Sequence, residues 1–110
     1  MNYEAEQIRQ KIENGNFIEN NGRILRMLDI MSGEFKKLTE LKYVLSDMEE
    51  YEIAKSVDYL YESGYIKLRN IETKQPAALA DTSFKLLAAK LTNTGIQVLV
   101  DKKKDACISL

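Results

Sequence analysis

The chain has 110 residues, 45% of them apolar, which suffices for one hydrophobic core, so we expect a single domain over residues 1–110. It has no histidine, and with neither a Cys–His pair nor a glycine-rich phosphate loop the sequence argues against an enzyme and predicts no cofactor or metal. The lone cysteine, Cys107, has no disulfide partner, and no signal peptide or long apolar run is present, so we expect a cytoplasmic protein without a membrane span.

Charge is distributed unevenly along the chain although the formal net charge is only −1. Up to Gly64 there are 8 Lys and Arg against 13 Asp and Glu, whereas from Tyr65 to Lys104 there are 8 against 3. The first part is therefore acidic and the second part basic. Such a gradient could orient the domain on a polyanion or let two copies attract each other head to tail.

An amphipathic helix is predicted within residues 1–15. Ile8 and Ile12 stand at i and i+4 among polar residues, and Gly15 follows the end of the pattern. The narrow apolar stripe suits packing against a partner subunit or against the protein's own core.

A second helix is predicted at residues 23–31, after a connection over residues 17–22 that is rich in loop-forming Asn and Gly. Its apolar residues surround the helix axis, Ile30 among them, so we expect burial on more than one side. Ser32 and Gly33 are expected to end it.

Residues 34–37 read as a charged linker, followed by the first of two helices that form a helix-turn-helix unit. Leu38, Leu41 and Leu45 recur at i, i+3 and i+7, with Thr39 as the expected N-cap.

The second helix of the unit is predicted at residues 48–63. Ile53, Val57 and Leu60 form its buried stripe, and Gly64 is expected to end it in the left-handed conformation.

After Gly64 the apolar period changes from 3.6 to 2, which predicts a strand over residues 65–73. Residues 73–82 contain the single proline and are expected to form a loop. Residues 84–91 have helix-favouring Leu and Ala but follow a loop, and we interpret them as the returning strand of a hairpin.

A final helix is predicted at residues 93–104, with Thr92 as N-cap. Ile96, Leu99 and Val100 are its expected buried residues, and the lysines at 102–104 suit a helix C-terminus. Residues 105–110 are expected to be a flexible tail.

This order resembles the winged helix-turn-helix domain of MarR-like and related bacterial regulators over residues 20–103. Three segments carry the similarity: LTELKYVLS, YLYESGYIKLR and LTNTGIQVLVD. The resemblance implies an α+β, mainly α fold with an extra N-terminal helix, a β-hairpin wing around residues 71–83 and a C-terminal helix. It also implies a recognition helix around residues 51–59 and a homodimeric transcriptional regulator that binds double-stranded DNA.

By that resemblance, DNA contacts fall on the recognition helix, the wing and the residues before the first helix of the helix-turn-helix unit. Tyrosine hydroxyls would donate to phosphates, and lysine or arginine would neutralise them. The residues expected to contact DNA are Lys36, Lys37, Tyr51, Lys55, Tyr59, Arg69, Lys74 and Gln75.

The expected recognition helix is chemically unusual for a helix that enters a DNA groove. Residues 48–63 carry five carboxylates against the single Lys55. An alternative is therefore a winged-helix protein–protein interaction module, such as a phage or mobile-element accessory protein, that does not bind DNA. In that case Tyr51, Tyr59 and Tyr61 would form the partner surface, because tyrosine is enriched in interface hot spots.

Overall fold

The computed structural model describes residues 3–31 and 34–110 and is an α+β domain, mainly helical. Within this part of the chain, four α-helices pack with one three-stranded antiparallel sheet of order β1–β3–β2. In chain order the elements are α1 (Tyr3–Ile30), β1 (Lys36–Lys37), α2 (Leu38–Val44), α3 (Glu50–Glu62), β2 (Ile66–Asn70), a 3₁₀ turn (Phe84–Leu86), β3 (Leu87–Leu91) and α4 (Asn93–Leu99).

One continuous helix, α1, replaces the two helices predicted before residue 32. The expected break over residues 15–22 is wrong, because the polar residues there serve a tertiary contact. Asn21 is buried and its Nδ2 donates a 2.8 Å hydrogen bond to the Cys107 carbonyl, and Gly22 leaves room for the backbone of Ser109. The stop expected at Ser32 and Gly33 lies outside the described residues.

The first half of α1 is mostly exposed, whereas its second half enters the core. Ile8 and Ile12 are each 59% exposed, while Ile24, Leu25 and Leu28 are buried. Ile30, predicted to be buried, is exposed, so the second half of α1 buries one side rather than several.

The predicted helix-turn-helix stripes are confirmed. Leu38, Leu41 and Leu45 on one helix and Ile53, Val57 and Leu60 on the other are all buried in one cluster. Gly64 ends the segment with φ of 81°, as expected for the residue after a helix.

The predicted N-cap of α2 and the predicted start of α3 are wrong. Lys37 is the N-cap of α2, without a side-chain cap, so Thr39 lies inside the helix. Helix α3 begins at Glu50, with Glu49 and Glu52 forming a reciprocal capping box. Met48, the expected start, is instead buried in the core.

The turn between α2 and α3 is tied to α1. The Arg23 guanidinium donates hydrogen bonds of 2.7 and 2.8 Å to the Asp47 carboxylate. These bonds lower the pKa of Asp47 to about 2.

Residues 34–37 are not a plain linker, because Lys36 and Lys37 form the edge strand β1 and pair with Ala89 and Ala88 of β3. The predicted hairpin is confirmed, with β2 antiparallel to β3. Its second strand is shorter than expected, since residues 84–86 form the 3₁₀ turn.

The C-terminal region differs most from expectation. Helix α4 is capped by Thr92 as predicted, but it ends at Leu99, and Ile96 and Val100 are exposed because Gly95 and Val98 form its buried side. The expected flexible tail at 105–110 instead folds back: the Ser109 amide donates to the Ile18 carbonyl. In the described part of the chain, no helix has the length and apolar character needed to cross a membrane.

Candidate nucleic-acid interface

Strand alternation divides the sheet into a core face and an outer face. Ile66 and Leu68 of β2 are buried on the core face, so Lys67 and Arg69 project from the outer face. Lys67 of β2 lies directly opposite Lys90 of β3. Ala88 of β3 pairs with Arg69 on one side and with Lys37 of β1 on the other, so these two cations lie in one row across the sheet. The outer face thus gathers cations from all three strands.

A turn adds a further cation to this face. The Asn70 carboxamide oxygen accepts hydrogen bonds from the amides of Glu72 and Thr73, and Lys74 adopts the left-handed conformation with φ of 63°. The chain then runs back along β2, where Pro76 bridges to Arg69. Lys74 consequently lines the same surface as Arg69. We call the resulting set the basic sheet face: Lys37, Lys67, Arg69, Lys74 and Lys90.

Within residues 3–31 and 34–110, none of these five cations forms an ion pair with a carboxylate. The ion pairs Arg9–Glu6, Arg23–Asp47 and Lys104–Asp101 all lie elsewhere. Directly opposed like charges such as Lys67 and Lys90 destabilise a sheet. Folding alone therefore does not favour this arrangement.

Arg69 lies at the centre of the basic sheet face. Its guanidinium carbon is 4.0 Å from the centroid of the Phe35 ring, a cation–π stacking distance. Its Nε is buried, and within the described chain it has no hydrogen-bond partner. A buried donor left without an acceptor costs free energy, so this placement of Arg69 does not stabilise the fold by itself.

Two shallow cavities flank Arg69 and share Phe35, Arg69 and Lys74 as lining. One, of about 290 Å³, adds Tyr61 and Pro76 among others. The other, of about 280 Å³, adds Lys37 and Ile71, with Glu72 as its single carboxylate. Both combine an apolar wall with cationic side chains.

The expected recognition helix turns part of its outer face to α1. The Lys55 ammonium lies 4.9 Å from the Phe17 ring centroid, and the Phe17 and Tyr59 rings meet edge to face at 5.4 Å. Glu50, Asp58 and Glu62 are exposed along the remaining face. The solvent side of α3 is therefore acidic.

Tyr59 and Tyr65 are held by the C-terminal segment. Both hydroxyls donate to the Asp105 carboxylate, at 2.7 Å and 2.6 Å for its Oδ2. Burial and these hydrogen bonds raise the pKa of Tyr65 to about 12 and raise that of Tyr59 as well. Burial opposes ionisation of Asp105, but the tyrosine hydroxyls and the Cys107 amide outweigh it, and the Asp105 pKa lies below its usual value.

The structure brings three of the eight residues predicted to contact DNA into one surface: Lys37, Arg69 and Lys74. Lys36 lies on the opposite face of β1, and Gln75 is exposed in the turn after Lys74. The three others are on α3, where Tyr51 is exposed, Lys55 lies over Phe17 and Tyr59 is bonded to Asp105.

Sequence reasoning missed Phe35, Lys67 and Lys90 as members of this surface. Lys67 could have been predicted from the sequence, because it lies two residues before Arg69 and therefore on the same face of an alternating strand. The positions of Phe35 and Lys90 depend on strand register, for which the sequence carries no local signal.

The fold and this surface define a small α+β domain with a cationic sheet face. Comparison of the chain with protein-family models, with curated proteins and with solved structures finds no match. A function for this domain therefore has to be inferred from its own residues.

Proposed function

We propose that the protein is a DNA-binding protein, with a role in transcriptional regulation, that contacts DNA phosphates through the basic sheet face. The observation that carries the proposal is the opposition of Lys67 and Lys90 on a face whose cations form no ion pair among the described residues. A polyanion relieves this repulsion. Neutralising phosphates also releases their condensed counterions, which drives binding.

The winged-helix arrangement is part of the proposal. Its support is the succession of the α2–α3 unit and the antiparallel β2–β3 hairpin, with the short β1 on the far side of β3. In this arrangement the basic sheet face, rather than the recognition helix, makes the main contact, because α3 presents Glu50, Asp58 and Glu62 to solvent. Carboxylates that approach phosphates closely are repelled.

The test is fluorescence anisotropy with a labelled DNA duplex that carries a single-stranded overhang, at ~50 mM salt, where phosphate contacts are strongest. We expect Lys67→Gln to weaken binding several-fold, because it removes a cation from the contact surface. Lys55→Gln, which removes the same charge from α3, should leave the affinity nearly unchanged. Absence of any anisotropy change with the unaltered protein would contradict DNA binding.

A second candidate is a protein-interaction module, and the exposed face of α3 favours it. Tyr51 is 71% exposed on the same helix as the exposed Glu50 and Asp58. Of the three tyrosines expected to form a partner surface, Tyr59 is engaged by Asp105 and Tyr61 is half-buried, which leaves Tyr51. A pull-down that recovers only nucleic acid would count against this candidate.

We also propose that the protein is a homodimer joined along the first half of α1. The stripe of Ile8 and Ile12 is exposed, and an isolated helix of this length is only marginally stable in water. Antiparallel pairing about a twofold axis would set Ile8 of one copy beside Ile12 of the other. Sedimentation of the unaltered protein and of an Ile8→Ser, Ile12→Ser variant tests this: the first should be dimeric and the second monomeric.

A further inference from the structure

We infer that the two cavities beside Arg69 receive the bases of single-stranded DNA, so that the basic sheet face prefers single strands to duplex. This inference rests on the proposed DNA-binding function and specifies the form of DNA that the same surface takes. It follows from the shape and lining of the surface rather than from its charge alone.

Charge by itself does not distinguish the two forms, because both present phosphates. The distinguishing feature is apolar and planar surface among the cations. Phe35 and Arg69 form a stacked pair, with 4.0 Å between the guanidinium carbon and the ring centroid, and Tyr61 and Pro76 contribute to one side of it. Bases of single strands stack on aromatic rings and on arginine guanidinium planes.

The dimensions of the cavities fit the same ligand. Each has a volume of roughly 280–290 Å³, which suits one nucleotide rather than a helix or a β-ribbon. They adjoin, since Phe35, Arg69 and Lys74 line both. Two adjoining cavities of this size match two successive nucleotides of one strand.

The position of the cations completes the fit. Lys67 borders the first cavity and Lys37 the second, so each cavity has its own lysine for a flanking phosphate, in addition to the shared Lys74. In a duplex the base faces are covered by their neighbours in the stack, so these apolar walls would stay unused.

The experiment compares three labelled probes on the unaltered protein: an oligothymidylate of about 15 nucleotides, an abasic strand of the same length and a hairpin duplex of the same total charge. We expect the oligothymidylate to bind at least tenfold more tightly than the abasic strand or the duplex. The abasic strand isolates the phosphate contribution, so the difference measures the contribution of the bases.

A variant then assigns the base contacts to this surface. Phe35→Leu keeps an apolar side chain but removes the ring, and it should reduce oligothymidylate affinity toward that of the abasic strand without changing abasic binding. Lys67→Gln is the matched control, because it should weaken both probes alike. The comparison of probes on the unaltered protein decides the question even where Phe35→Leu does not fold.

Four outcomes separate the two proposals. Duplex binding equal to or tighter than oligothymidylate binding overturns the single-strand inference and leaves DNA binding in place. Equal affinity for the abasic and thymidylate strands also overturns it, since only phosphates would then be read. Unlabelled thymidine monophosphate that displaces the labelled oligothymidylate as effectively as the unlabelled strand does would show that the surface is a mononucleotide site. That result would also overturn the single-strand inference. Binding of none of the probes overturns both proposals.

Discussion

At the residue scale, two glycines of α1 differ in their surroundings. A Cβ at Gly15 would meet nothing nearby, whereas a Cβ at Gly22 would overlap the carbonyl group of Ser109. Glycine in a helix interior is less favourable than alanine by roughly 0.5–1 kcal/mol. We expect Gly15→Ala to raise the free energy of unfolding by about that amount, and Gly22→Ala to lower it by displacing the C-terminal segment.

Urea denaturation of both variants measures this difference. The two substitutions are chemically identical and lie on one helix, so each serves as the other's control. Equal effects of the two substitutions would mean that the contact between Gly22 and Ser109 does not form.

The Asp105 carboxylate links its own segment to α3 and to the start of β2 through Tyr59 and Tyr65. Folding lowers the pKa of Asp105, so ionised Asp105 stabilises the folded state. This contribution is fully present above the pKa of the unfolded chain, about 4, and it is lost as the pH falls through the lower pKa of the folded protein. We expect Asp105→Asn to cost about 1.5–3 kcal/mol at neutral pH, in the range for hydrogen bonds to a charged group.

Thermal or urea unfolding as a function of pH checks this prediction. The variant should lose less stability than the unaltered protein on acidification below about pH 4, so that the two curves converge. Parallel curves would mean that Asp105 is not the titrating group. Asp101→Asn is a suitable control, because Asp101 is exposed and its carboxylate accepts a hydrogen bond from Lys104 rather than from a tyrosine.

At the scale of elements, the β2–β3 hairpin places two lysines side by side. This arrangement adds to the cationic surface but lowers the stability of the hairpin. Lys67 and Lys90 are directly opposed across β2 and β3. We expect Lys90→Glu to stabilise the fold by roughly 0.2–1 kcal/mol, because it creates an opposite-charge cross-strand pair. The same substitution should weaken DNA binding.

Lys85→Glu provides the matched control, since it changes the net charge equally on the exposed 3₁₀ turn, outside the sheet. It should leave stability nearly unchanged and weaken DNA binding less than Lys90→Glu does. Calorimetry and anisotropy on the two variants measure both quantities. A Lys90→Glu protein that is less stable, or that binds DNA as well as the Lys85→Glu protein, would contradict the function assigned to this face.

The elements predicted from sequence are those whose signals are local. The i, i+3, i+7 leucines of α2 and the alternation around Lys67 depend on neighbours in the chain, and both predictions are confirmed. Gly22 within α1 lies against the distant Ser109, and the composition of the basic sheet face depends on the register of β3. Neither distant partner is encoded near the residues it affects, so sequence patterns predicted a break in the first case and an incomplete surface in the second.

At the scale of the whole molecule, charge is segregated although the net charge is only −1. The basic sheet face and the acidic exposed face of α3 give the molecule a strong electrostatic asymmetry, which aligns it as it approaches a polyanion. We expect DNA affinity to fall steeply with salt. About four phosphate contacts to a single strand would give a slope near −3 in log K against log salt.

Anisotropy titrations over a range of salt concentrations measure that slope. Lys67→Gln should make it shallower by about 0.7, the value for one phosphate contact to a single strand. A slope near zero would indicate binding without phosphate neutralisation and would contradict the proposed mode of contact.

The return of the C-terminal segment to α1 joins residues that are far apart in the chain. The hydrogen bond from Asn21 to Cys107 connects positions separated by 86 residues. Contacts of such long range must first overcome the entropy of loop closure. We therefore expect the C-terminal segment to reach its place against α1 late in folding, after the helices and the β2–β3 hairpin have formed.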